Sequence, residues 1–160
     1  MSMIGNFLAV TQTELDALYA NPDSVPTVLY ETRAAETVDL DKAWHGIHFM
    51  LTGEQYGGEG PLARVIMGGV PIGEEDVGYG PARGLSASEV KEVASWLGKI
   101  SEADFRAKFD PTALSEADIY PQIWDEGDDA LNYVTDNFLE VKRFYSAAAE
   151  KDLAVILFIN

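Results

Sequence analysis

Residues 153–159 read LAVILFI, an apolar run set between Asp152 and Asn160. Seven residues are too few for an average helix, and the β-branched and aromatic content suits a strand covered on both faces. Such a strand needs packing partners on each side. At the other end of the chain, residues 4–10 (IGNFLAV) form a second predicted strand, closed by Thr11 and Glu14 at the spacing of a capping box. Two terminal strands separated by helical segments predict a small central sheet with helices packed against it, the helices outnumbering the strands.

The intervening helices are marked by their caps and stripes. The first runs from Thr11 through Tyr19, and after the Asn21-Pro22 break, Ser24 and Pro26 open a second toward Arg33. The stretch DLDKAWHGIHFMLTG, residues 39–53, predicts a third helix over 39–52, with Asp39 or Asp41 as its cap and Gly53 after its end. Ser86 and Glu89 repeat the capping-box spacing ahead of Val90, Val93, Ala94 and Leu97. Ser101 starts another helix through Phe105 and Phe109, which Asp110-Pro111 is expected to end, and residues 115–120 hold a further turn. The longest helix spans 128–151, its stripe made by Leu131, Val134, Phe138, Val141, Tyr145 and Ala148. Its acidic start and basic end match the helix dipole.

Between Gly53 and Gly84 the chain is rich in glycine and proline, with a helical turn or two expected over 61–67 and short extended pieces at 70–72 and 82–85. A long glycine-rich connection carrying Tyr56, Tyr79 and Arg83 reads as an ordered, site-forming loop. The letters of residues 58–63, GEGPLA, match a dinucleotide-binding turn, but no strand precedes them and Glu59 would face a pyrophosphate. They read as a loop entering a helix at Pro61.

Composition narrows the classes of function. The 160 residues, 47% hydrophobic, suit one domain, and the absence of cysteine removes disulfides, thiolate metal sites and a cysteine nucleophile. That composition fits a cytoplasmic protein, and neither a signal peptide nor a membrane span is expected. With 27 acidic against 11 basic residues, the formal charge of −16 opposes binding to nucleic acid or anionic lipid; the excess reads first as a device for solubility and otherwise as a face for a basic protein partner.

Two constellations carry chemistry. His45 and His48, three residues apart, follow Asp41 on one predicted helix, a set able to perform acid/base work or to supply part of a metal site. The zinc-hydrolase spacing and the serine nucleophile elbow are both missing, and no metal or cofactor is expected. Residues 125–129, DEGDD, lack calcium-loop spacing and read as an acidic helix start. The second constellation is Trp44, Tyr79, Arg83, Tyr120 and Trp124, whose rings and single guanidinium suit a planar or anionic ligand or, equally, a core with one internal ion pair.

Several short blocks occur together in order: residues 3–6 (MIGN), 41–48 (DKAWHGIH) with 51–53 (LTG), Gly68-Gly69, 76–83 (DVGYGPAR) and 119–124 (IYPQIW). In these the chain resembles the YfbM-like bacterial family, which has no known function. The resemblance implies a single α/β domain over 1–160 with a three-layer α/β/α arrangement around a small mixed sheet, and it supplies no catalytic residue. Taken together, the residues predict a non-catalytic binding module for a basic protein or a small ligand. The alternative is a small enzyme using His45, His48 and Asp41, and a structural or oligomer-forming role is the third reading.

Overall fold

The apolar run near the C-terminus forms the middle strand of a five-stranded sheet. The computed structural model describes residues 2–160, so Met1 of the expected domain lies outside the described residues. In chain order the elements are β1 (Gly5–Val10), α1 (Gln12–Ala20), α2 (Val25–Thr27), β2 (Val38–Asp39), α3 (Trp44–Thr52), α4 (Pro61–Met67), β3 (Val70–Pro71), β4 (Arg83–Leu85), α5 (Ala87–Gly98), α6 (Glu102–Arg106), α7 (Pro111–Glu116), α8 (Asp128–Glu150) and β5 (Ala154–Ile159). Helices predominate, as expected.

The strand order is β2-β1-β5-β4-β3, with β5 bonded along its length to β1 from Gly5 opposite Ile159 to Val10 opposite Ala154. Side chains of β5 alternate between two separate cores. Val155 and Leu157 join Phe7, Leu85 and the apolar stripes of α3, α4, α5 and α8, while Ala154, Ile156 and Phe158 join Leu8, Val10, α1 and the residues around Val25 and Leu29. Cores on both faces make the three layers, with β5 at the centre. The expected mixed sheet is corrected in one respect: all four pairings are antiparallel. An apolar run reports burial, whereas pairing direction is decided by how the intervening helices return the chain.

Local signals mostly hold. The capping boxes at Thr11 and Ser86 form, a third forms at Ser101 with Asp104, and Gly53 ends α3 in the left-handed region. The segment after Pro22 is helical but irregular, passing from a 3-10 turn through α2 into a π turn over Val28–Thr32. Three boundaries differ. The helix expected over 39–52 starts at Trp44, because Val38 and Asp39 pair with β1 as an edge strand and Asp41–Ala43 make a 3-10 turn. Backbone pairing at the sheet edge outweighs the capping preference of the aspartates. Helix α6 stops before Phe109, and Asp110-Pro111 opens α7 instead of ending a helix: Asp110 accepts from the Ala113 N–H at 3.1 Å, and proline occupies the first turn. The turn expected over 115–120 is therefore displaced toward the N-terminus.

Helix α3 is seated on the sheet by close approach. Trp44 packs onto Gly5, where an added Cβ would lie 2.7 Å from the Trp44 Cβ, and its indole N–H donates to the Met3 carbonyl at 2.9 Å. From the other side Trp124 presses on Gly46, its own N–H bonded to the Ile119 carbonyl at 2.7 Å. No helix among the described residues is long and apolar enough to cross a membrane.

Gly5→Ala tests this seating. On chain entropy alone the substitution would stabilise by about 0.4–1 kcal/mol, but overpacking against Trp44 should instead cost about 1–3 kcal/mol in urea unfolding.

Candidate ligand-binding site

Where β1 begins, β5 ends and β4 begins, the sheet opens into a cleft of about 710 Å³. The volume is within the ~300–1,000 Å³ usual for small-molecule sites. Trp44 and His45 come from the first turn of α3, Tyr56 from the glycine-rich loop after it, Tyr79 from the loop before β4, Arg83 from β4 itself and Tyr120 from the segment after α7. Four of the five residues expected to contact a ligand are thus brought together. Trp124 is the exception: it is buried behind α3, supporting the helix from the far side.

The aromatic wall is continuous. His45 is sandwiched between Trp44, with ring centroids 4.9 Å apart, and Tyr56, at 5.1 Å, while Tyr120 leans on Trp44 at 6.1 Å. The Tyr79 loop is fastened to the end of β5 by its backbone N–H, which donates to the Ile159 carbonyl at 3.0 Å. Gly78 allows this approach, since its φ of 152° disfavours other residues and a Cβ there would meet Asn160 at 2.5 Å. Asp76 closes the loop by accepting from the Gly78 and Gly80 N–H groups.

His45 is held by both ring nitrogens. The Tyr120 backbone N–H donates to Nδ1 at 2.9 Å, which forces Nδ1 to be the acceptor; Nε2 therefore carries the proton and donates to the Gln55 carbonyl, also at 2.9 Å. Burial lowers its pKa, opposed by the bond to Gln55. The imidazole is a neutral strap between two loops.

His48, one turn along and fully buried, has no hydrogen-bond partner at either nitrogen and does not line the cleft. Burial pushes its pKa down to about 4, with the nearby His45 and Arg83 acting in the same direction; the Gly57 backbone opposes the shift from nearby without meeting hydrogen-bond geometry. Asp41 is directed elsewhere, accepting from the Tyr133 hydroxyl at 2.8 Å. The structure therefore does not assemble Asp41, His45 and His48 into one hydrogen-bonded set. No cluster of three or more metal-ligating side chains occurs among the described residues.

Arg83 is the cationic group that lines the cleft. Its Nη1 donates to the Gly68 carbonyl at 2.9 Å and its Nη2 to the Ile66 carbonyl at 3.1 Å, satisfying acceptors left open at the end of α4. Burial lowers its pKa, yet a guanidinium remains charged. The ion pairs among the described residues belong to Arg33, Arg64, Lys91 and Arg143, and none reaches Arg83. The expected internal ion pair is thus replaced by helix-end carbonyls, leaving further N–H donors on a residue that borders open space. Met3, Asp118 and Ile159 also line the cleft, and nothing in their sequence context marks them as site residues. Only tertiary contact brings them there; Tyr56, by contrast, was signalled by its glycine-rich loop.

Fold and cleft define a helix-rich α/β protein with an aromatic pocket at one end of its sheet. The chain belongs to the family described as a domain of unknown function, DUF1877, which it matches over residues 1–158. It is also similar to the crystal structure of a protein of unknown function, YfbM from Escherichia coli, with a TM-score of 0.76 and 20% sequence identity, covering 98% of this chain and 99% of that one. At that identity the match shows a shared fold. The resemblance seen in the sequence blocks is therefore to a true relative in architecture. No curated protein matches the chain.

Two measurements check the histidines. Nitrogen-resolved NMR at pH 7 should find His45 as the neutral Nε2–H tautomer. For His48, the unfolded chain binds a proton below its ordinary pKa near 6.5 while the folded chain does not until about pH 4; its contribution to stability therefore falls as pH drops between these values. His48→Leu should be neutral or stabilising at pH 7, and its advantage over the parent should grow by about 1–2 kcal/mol on going to pH 5.

Proposed function

We propose that this protein is a non-catalytic binding module for a small planar ligand carrying a carboxylate, held in the cleft between α3, β4 and the Tyr79 loop. The observation that carries this reading is Arg83: a half-buried cation without a carboxylate partner, borne by a chain with 27 acidic residues, set among Trp44, Tyr56, Tyr79 and Tyr120. A guanidinium prefers a bidentate carboxylate, and flat rings favour a planar body between them. The helix-end carbonyls that grip Arg83 fix its position before any ligand arrives, so little side-chain entropy remains to be lost on binding. The absence of catalysis in this reading is supported by His45, whose two nitrogens are both engaged by backbone groups, and by His48, which lies outside the cleft.

The test is titration with benzoate and with uncharged benzyl alcohol, followed by NMR. Benzoate should saturate and shift Trp44 and Tyr79, with benzyl alcohol at least about tenfold weaker because a charge-assisted pair is lost. Tyr79→Ala, at an exposed loop position, should weaken benzoate by about three- to tenfold through lost stacking. Absence of saturable benzoate binding into the millimolar range, or shifts confined to another part of the molecule, would overturn the reading.

A further inference from the structure

Asp118 provides the second charge bordering the cleft, and its position relative to Arg83 specifies more than an anion. It is exposed at the rim, in a turn with φ of 54°, and forms no ion pair among the described residues. The segment carrying it is tied to the start of β1: the Tyr120 hydroxyl accepts from the Met3 backbone N–H at 3.1 Å. Arg83 stands on β4, and β5 runs between β1 and β4, its Ile159 lining the cleft. Adjacent strands lie about 4.8 Å apart, so β4, which bears Arg83, and β1, to whose start the Asp118 segment is tied, stand roughly 10 Å apart. The cleft is otherwise bordered mostly by aromatic and apolar side chains, including Trp44, Tyr120, Met3 and Ile159.

Resting on the carboxylate-binding reading above, we infer that the ligand is an aromatic zwitterion whose carboxylate and cationic amine lie at opposite ends of a planar body. The carboxylate meets Arg83 and the amine meets Asp118. Complementarity supports each end. An ammonium at the rim would pair with Asp118 while gaining from neighbouring ring faces and from the acidic surface, which repels a ligand of higher negative charge. A single guanidinium, already shared with two carbonyls, matches one negative charge better than two. A ligand that spans the cleft from the β4 side to the β1 side differs from an ordinary α-amino acid, in which both charges sit on one carbon.

The experiment compares para-(aminomethyl)benzoate, para-methylbenzoate and benzylamine by calorimetry on the parent protein and on Asp118→Asn. Asparagine tolerates the left-handed backbone at this exposed position, so the variant keeps its fold. The amine-bearing acid should bind the parent about five- to tenfold more tightly than para-methylbenzoate, with benzylamine weakest. In Asp118→Asn that preference should vanish, and para-methylbenzoate, freed of a like charge at the rim, should bind at least as tightly as to the parent. Phenylalanine should show no comparable gain over phenylpropionate. Equal binding of the two para-substituted acids by the parent, or a preference that survives Asp118→Asn, overturns the zwitterion proposal and leaves carboxylate recognition standing. If no carboxylate binds, the underlying reading fails as well.

Discussion

Burial of β5 on both faces is the constraint from which the rest of the structure follows. Its residues from Ala154 to Phe158 are almost completely inaccessible, and their alternating side chains demand apolar partners above and below the sheet. Helices α3, α4, α5 and α8 supply one layer, and α1 with the irregular turns around Val25 and Leu29 supplies the other. Strands β1 and β4 satisfy the backbone of β5 along both its edges, leaving the short β2 and β3 as the outer strands. Short edges limit the length of unpaired backbone offered to another sheet.

The cleft arises where this packing stops. Around the end of β5, loops from other segments close the layers, and the groups that organise those loops are the ones that line the open space. His45 straps the Gln55 loop to the Tyr120 segment, Arg83 closes the carbonyl end of α4, and the Tyr79 N–H closes the end of β5. Each performs a structural task through polar atoms while presenting a ring or spare donors to the cleft. Structural and recognition roles are therefore not alternatives here. A guanidinium held by two fixed carbonyls is still a full positive charge, and its low mobility is an advantage for binding.

The same geometry separates the two histidines by chemistry. Both are on one helix and both are buried, yet His45 is satisfied at each nitrogen and His48 at neither. In low-dielectric surroundings near Arg83, the neutral form of His48 is favoured, and a buried orphan imidazole weakens the native state when the pH falls. Asp41 caps neither ring. Its bond to Tyr133 instead pins the turn before α3 to α8, beside the Tyr133 hydroxyl's acceptance from the Lys42 N–H at 3.0 Å.

The features legible in the sequence were local and periodic: the terminal strands, the capping boxes at Thr11 and Ser86, the stop at Gly53, the stripe of α8, and the apolar run that had to lie at the centre. Those signals depend on neighbours within a turn or two, and physical chemistry at that range is written in spacing. The family blocks also gathered Trp44, Tyr79, Arg83 and Tyr120 into one candidate set, which the cleft unites. Long-range packing settled that every strand pair is antiparallel, that Asp39 leaves the helix for the sheet edge, that Trp124 stands behind α3, and that Asp118 lines the same cleft as Arg83. These outcomes rest on contacts between residues far apart in the chain, such as His45 with Tyr120 and Met3 with Tyr120, whose partners no periodicity can specify.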